Sequence, residues 1–234
     1  MDGVVLSCEH GGNDVPPEYR DCFRGAEQAL ASHRGWDPGS LDLGTAFQRS
    51  TGAPLVTTTV TRLLVEPNRS IGHARLFSQY TRDLPTDAKR EIVDRYYLPH
   101  RNRIQAEIDE LRGIDRRVIH LGLHTFTPEL DGEVRNAEIG LLYDPRRTNE
   151  KEFCAAWRAR LIAFRPDLRV RLNYPYLGKA DGLTTFLRKR YADDQYVGIE
   201  LEVNQRLVAA DDRWQTLIAD LAQTFSAGIR TAVS

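Results

Sequence analysis

Three short polar clusters in this chain, each lying within or directly behind an apolar run, carry side chains suited to hydrolytic chemistry. Glu9-His10 follows Val4 to Cys8, His120 and His124 lie in the run from Arg117 to Phe126, and Glu200 and Glu202 lie in the run from Tyr196 to Val203. On a strand His120 and His124 point the same way but stand about 13 Å apart, at ~3.3 Å per residue. They do not share one metal ion. His124, nearer the strand end, is the ligand candidate, with a hydrogen-bonded core histidine as its plainer reading; His120 reads as the core histidine.

Alternation along the last run puts Val197, Ile199, Leu201 and Val203 on one face and Glu200, Glu202 and Asn204 on the other. Two carboxylates on one face are costly inside a sheet covered on both sides unless a cation compensates. The plainer alternative is an edge strand with one wet face. If buried, the pair supplies a general base, because desolvation and like charge both raise a carboxylate pKa. Asn68 and Arg69, with Arg62 upstream, follow a Thr-rich run and can donate several hydrogen bonds to a carboxylate; a solvated turn is the competing reading. Asp37, in Gly35-Trp36-Asp37-Pro38-Gly39, is either a turn residue or an oxygen ligand completing a His/His/carboxylate site. Tyr174 and Tyr176 either line a pocket or pack as aromatics beside Pro175.

These residues need a frame, and the periodicity predicts one. Strands are expected at 4–8, 54–65, 117–126, 138–143, 169–172 and 196–203. Helices are expected at 86–111, interrupted at Pro99, and at 150–164 and 212–231. Strands alternating with helices predict an α/β fold with a mixed, largely parallel sheet flanked by helices on both faces, in one domain over residues 1–234. Ligands in such folds collect at the carboxyl ends of strands, where the polar clusters lie.

Composition narrows the function. The 234 residues are 41% hydrophobic and 28% charged, with a formal net charge of −1. The balance argues against a broad nucleic-acid footprint. No run approaches a membrane span, and no basic-then-apolar N-terminal segment marks export, so a cytoplasmic setting is expected. Cys8, Cys22 and Cys154 show no CxxC spacing, which sets aside a disulfide framework and a cysteine-built zinc finger. Of the 32 cationic Lys and Arg residues only four are Lys, leaving 28 Arg. Arg is the side chain that reads carboxylates in a bidentate way.

Taken in order, several segments resemble the N-formylglutamate amidohydrolase family. They are Ser7-Cys8-Glu9-His10-Gly11-Gly12-Asn13, Trp36-Asp37-Pro38-Gly39, Arg62 to Ser70, Leu123-His124-Thr125-Phe126-Thr127-Pro128, Arg135-Asn136-Ala137-Glu138-Ile139-Gly140, Asn173-Tyr174-Pro175-Tyr176 and Gly198-Ile199-Glu200-Leu201-Glu202. Each segment is weakly specific, whereas the ordered set covers nearly the whole chain. The family is similar to zinc carboxypeptidases and the aspartoacylase group, so the resemblance implies a hydrolase-like mixed sheet and one zinc ion at the strand ends.

On that resemblance His10 and His124 match the histidine ligands. Asn68 and Arg69 match the pair gripping the substrate carboxylate, with Arg62 upstream, and Arg135, Asn136 and Tyr176 join the substrate-binding set. Glu202, with Glu200 as the alternative, matches the general base. The relatives' His-x-x-Glu ligand is missing, since Asn13 stands three residues after His10. Asp37 is therefore expected as third ligand, with Asn13 and Asp14 in reserve. The implied reaction is zinc-assisted hydrolysis of a small acidic N-acyl amino acid, N-formyl-L-glutamate first. A carboxypeptidase- or deacylase-like hydrolase of another amide and a non-catalytic binding homologue are the alternatives. The Cys-Glu-His-Gly-Gly opening differs from the Pro-His-Ser/Ala-Gly opening of the family's histidine-degradation members, which leaves room for a shifted substrate.

Overall fold

The computed structural model describes residues 2–114, 117–208 and 211–231. The chain begins with β1 (Gly3–Cys8), a 3₁₀ turn at Pro17–Phe23, α1 (Glu27–Ala31), α2 (Ser40–Thr51) and β2 (Leu55–Thr57). It continues through α3 (Thr86–Ile92), a π-helical stretch at Val93–Tyr97, α4 (Leu98–Arg112), β3 (Val118–Phe126), the small hairpin β4 (Glu129–Leu130) and β5 (Glu133–Val134), and β6 (Ile139–Leu142). The last part holds α5 (Thr148–Phe164), β7 (Val170–Leu172), α6 (Leu183–Arg188), β8 (Tyr196–Asn204), a 3₁₀ turn at Gln205–Leu207 and α7 (Asp212–Thr231).

Six strands form one sheet in the order β2-β1-β3-β8-β6-β7. Neighbours are parallel except β6 against β8, so the expected mixed, largely parallel sheet is present. All nine residues of β3 are buried, as a central strand covered on both faces requires.

Strand alternation sorts the core into two chemically different layers. Leu6, Ile119, Leu121, Leu123, Ile199, Leu201 and Val203 face a large apolar cluster with Leu43 and Phe47 of α2, Trp157 of α5, and Trp214 and Phe225 of α7. Val5, Val118 and Tyr196 face Ile104 and Ile108 of α4 and Leu183 and Leu187 of α6. The second face also carries, by the same parity, Ser7, His120, His124, Glu200 and Glu202. One side of the sheet supplies cohesion, while the other gives its carboxyl end to polar chemistry. Register brings that chemistry together, because His124 lies beside Glu202 and Gly122 beside Glu200.

Two expectations need correction. The run 54–65 is a strand only over Leu55–Thr57. Beyond it the backbone leaves the sheet and pairs with two loops: Asp14 donates to the Thr59 carbonyl, Thr61 to the Asp14 carbonyl and Arg62 to the Gly35 carbonyl. Side-chain β-propensity is met there by loop-to-loop pairing rather than by a sheet neighbour. The second correction concerns Pro99, which does not break its helix. The five residues from Val93 to Tyr97 widen to π geometry just before it, and Pro99 falls in the first turn of α4, where a missing N–H is tolerated. Helices α1, α2 and α6 were not foreseen. Among the described residues no helix is long and apolar enough to cross a membrane.

His120 sits fully buried between Ser7 Oγ, 2.8 Å from Nε2, and the Tyr196 hydroxyl, 2.7 Å from Nδ1. Burial pushes its imidazole down to about 4. A base whose folded pKa lies below its unfolded value of ~6.5 contributes stability that is complete above ~6.5 and lost as pH falls toward ~4, on the order of 3 kcal/mol. Urea unfolding of wild type and His120→Gln between pH 4 and 7 should therefore converge at the acid end. Parallel stability curves for the two proteins would contradict this.

Candidate active site

At the carboxyl ends of β1 and β3 the two histidines meet an aspartate. Asp37 is held in place by its backbone, whose N–H donates to the His10 carbonyl at 3.0 Å and whose carbonyl accepts from Ser40 at the start of α2 at 3.1 Å. Its Oδ2 lies 3.1 Å from Nδ1 of His10 and 3.1 Å from Nδ1 of His124. The two imidazoles stand 5.1 Å apart between centroids. One ligand atom from each of the three residues falls within 4.8 Å of the others, and all three side chains are buried.

The outward nitrogens are also held. His10 Nε2 lies 2.6 Å from Glu66 Oε1, and His124 Nε2 lies 3.0 Å from Glu9 Oε2. Arg62 binds the group together, donating from Nε to Glu66 Oε2 at 2.7 Å and from Nη1 to Asp37 Oδ1 at 3.1 Å. Each imidazole thus has Nδ1 on Asp37 and Nε2 against a buried carboxylate, hydrogen-bonded at His10 and at ion-pair distance at His124. That is how proteins orient histidine ligands.

The electrostatics follow from this crowding. Burial opposes ionisation of Asp37, but His10, His124 and Arg62 outweigh it and hold the carboxyl well below its usual range. Burial likewise opposes ionisation of Glu66 and Glu9, which Arg62 with His10, and His100 with His124, respectively hold ionised. The histidines respond in the opposite direction. Burial disfavours their cations, and Arg62 adds to that at His10, yet the carboxylates around them raise His10 and raise His124 strongly.

An imidazole between two carboxylates is satisfied only when both nitrogens carry protons. A divalent cation in place of the two inward protons would conserve that charge, since metal ligation needs neutral histidine and releases protons. Two imidazole nitrogens and a carboxylate oxygen, buried and convergent, are donors that fit Zn²⁺ with a position left open.

Glu202 lies beside His124 across the β3–β8 register. Its side chain is buried and Oε2 has no hydrogen-bond partner among the described residues. Burial, reinforced by Asp37 and Glu200, raises its carboxyl to about 8. Glu200 is less buried and accepts from Thr184 Oγ1 at 3.1 Å.

Above these groups opens a cavity of about 620 Å³, lined by His10, Asp37, Arg62, His124, Glu200 and Glu202 together with Asn68, Arg69 and Tyr176. Asn68 is pinned, its Oδ1 accepting from the Leu183 backbone at 2.7 Å and its own N–H donating to Glu66 Oε1 at 3.0 Å. Arg69 uses Nη1 on the carbonyls of Asn68 and Asp181, at 2.9 and 2.7 Å. Its carbonyl accepts from the Tyr97 hydroxyl and Arg101.

Other candidates lie elsewhere. Arg135 is buried beside Tyr176 but does not line the cavity, and Asn136 is exposed, with its backbone N–H donating to the Tyr174 hydroxyl. Asn13 donates to the Leu30 carbonyl and Asp14 is exposed, so neither joins the histidine pair. Glu66 and His33, Arg34 and Arg75 of the cavity wall carried no expected role, and Glu9 was singled out only as part of the Glu9-His10 cluster. Parity with Ser7 was a signal for Glu9. Glu66 had none, because its loop reaches the site only through tertiary folding.

Residues 2–209 match the family model described as N-formylglutamate amidohydrolase. No curated protein matches the chain's sequence. Among solved structures the chain is similar to a gene product of Agrobacterium tumefaciens, with a TM-score of 0.86, 25% identity, and coverage of 100% of this chain and 93% of that one. It also shares its fold with the N-formylglutamate amidohydrolase of Ralstonia eutropha, with a TM-score of 0.76, 18% identity, and coverage of 100% of this chain and 96% of that one.

Zinc titration of the metal-free protein against a competing chelator should show one equivalent bound. Glu66→Gln should lower the affinity ~10–100-fold, and Asp37→Ala should lower it further. An unchanged affinity in Glu66→Gln would mean that this carboxylate does not steer His10.

Proposed function

As the chain belongs to the N-formylglutamate amidohydrolase family, we propose that it is a zinc-dependent amidohydrolase cleaving the amide of an N-formyl or N-acyl amino acid, with N-formyl-L-glutamate, giving formate and glutamate, as first choice. The observation that carries this reading is the placement of Glu202. It is a buried carboxylate with a free oxygen and a raised pKa, beside two imidazoles whose inward nitrogens converge with Asp37.

His10, Asp37 and His124 would hold the ion. When bound, zinc supplies Lewis-acid polarisation of a carbonyl and lowers the pKa of water from 15.7 toward ~7. The chain's own residues do the rest. Glu66 and Glu9 keep the imidazoles turned inward, and Arg62 is proposed to steady Asp37 and Glu66, since its guanidinium is already engaged with both. Glu202 takes the proton of the attacking water at its unpartnered Oε2 and delivers it to the departing amine. Arg69, anchored through one Nη and with no hydrogen bond from its other guanidinium nitrogens among the described residues, meets the amino acid's carboxylate, assisted by Asn68. Glu200, hydrogen-bonded to Thr184, is the reserve carboxylate.

Two outcomes test these roles. Glu202→Gln should lower kcat ~10²–10⁴-fold with zinc content unchanged, whereas Arg69→Ala should act mainly on KM. A loss in Glu200→Gln with none in Glu202→Gln would reverse the assignment of the base. For the substrate class, N-formyl and N-acetyl derivatives of Glu, Asp and Gln should be scored by amine release with and without chelator. Turnover of the acidic members that disappears on chelation is expected. No hydrolysis of any acidic member would reject the proposed substrate, and activity indifferent to chelation would reject the metal.

A further inference from the structure

We propose that Tyr176 is a catalytic hydrogen-bond donor, its phenolic O–H meeting the scissile carbonyl oxygen as negative charge gathers there, and that Arg135 is the positioning residue that aims it. This rests on the reading of the cavity as an amide-hydrolysing site and gives roles to two residues whose relation only the structure shows.

Direction follows from donor chemistry. Arg135 Nη1 lies 3.0 Å from the Tyr176 hydroxyl. A guanidinium has no acceptor, so the phenol oxygen must accept in that bond. No other hydrogen bond reaches this oxygen among the described residues. Its own proton is therefore left for the cavity that Tyr176 lines. Tyr176 is 45% exposed, yet desolvation of its phenol at the cavity wall and the Glu202 charge raise it above its ordinary pKa, which keeps the proton in place. Tyr176 shares the cavity wall with His124, Arg62 and Glu202, which puts it beside the reacting centre.

Arg135 is built to hold rather than to bind. Its guanidinium stacks 4.9 Å from the Tyr176 ring centroid and 5.9 Å from that of Phe126. Its backbone N–H donates to the Pro128 carbonyl at 2.8 Å, and its carbonyl accepts from Asn204 Nδ2 at 3.3 Å. The approach of the Tyr176 loop depends on Gly140, which lies opposite Glu202, because a Cβ there would overlap the Tyr174 carbonyl oxygen. The strand beside the base is thus bare where the loop crosses it.

In the step proposed, water oxygen adds to the carbonyl carbon and the C=O π pair moves to oxygen, where Tyr176 donates a hydrogen bond without transferring its proton. Glu202 accepts the water's proton. On collapse the C–N bond breaks and that proton passes to nitrogen, giving the carboxylic acid and the amine, and transfer of the remaining hydroxyl proton between them leaves carboxylate and ammonium. A single preorganised donor to such an oxyanion is worth ~10²–10³-fold in kcat.

The test uses the full-length, zinc-loaded protein and two readouts. Tyr176→Phe should lower kcat ~10²-fold with KM changed less than about threefold and zinc content unchanged. Arg135→Gln should do the same, and Arg135→Lys, which keeps a donor, should recover part of the loss. By calorimetry, Tyr176→Phe should also weaken a tetrahedral N-phosphono-glutamate ~10²-fold while leaving product glutamate unaffected. If the wild type turns over no panel amide, the functional reading fails and the phosphono comparison alone decides Tyr176. The proposal is overturned if Tyr176→Phe binds both ligands like wild type, if it keeps kcat within about threefold, or if it raises KM alone.

Discussion

The site is organised by one carboxylate oxygen shared between two imidazoles. Asp37 Oδ2 sits 3.1 Å from the Nδ1 atoms of both His10 and His124. In a buried setting this contact is stable only if the imidazoles carry compensating charge, and Glu66, Glu9 and Arg62 complete the balance around it. Strip the cation or its protons from the centre and several buried carboxylates face one another without compensation. The donor set is one that would suit a caged cation, held in place by the loops that carry Asp37 and Glu66.

The sheet makes such a cage affordable. Its far face, packed by α2, α5 and α7 through Trp157, Trp214 and Phe225, is largely apolar and carries the cohesion of the sheet. The near face keeps Ile104, Ile108, Leu183 and Leu187 over its lower part and leaves its carboxyl end to charged groups. His120 and His124 mark that gradient on one strand: the first is closed off by Ser7 and Tyr196, and the second, one step from the strand's end on the same face, opens to the cavity. Arg69, Arg62 and Glu66 are brought to the rim by a loop that α4 pins from outside, through Arg101 on the carbonyls of Pro67 and Arg69.

Local pattern reveals what local physics decides. The alternation in β8 separated Glu200 and Glu202 from their apolar neighbours correctly, because period two is a property of any strand. The same reasoning read 54–65 as a strand and so missed Glu66, since β-branched residues suit an extended loop paired to other loops as well as a sheet. Asp37 could be read from its motif only as either a turn residue or an oxygen ligand; its spacing from His10 says nothing, and contact is made by folding 27 residues back on themselves. Arg135 was picked out by its motif, yet its place behind Tyr176 depends on the bare backbone of Gly140 opposite Glu202, which no pattern displays.

In the proposed site the inward Nδ1 atoms of His10 and His124, with Asp37, hold a single ion beside Glu202. Anomalous diffraction from crystals of the zinc-loaded protein, collected on both sides of the zinc edge, tests it most directly. One peak is expected, ~2.0–2.2 Å from both Nδ1 atoms and an Asp37 oxygen, with Glu66 and Glu9 still against the Nε2 atoms. A peak bound through Nε2 or at another cluster, or no peak within the cavity, would contradict it.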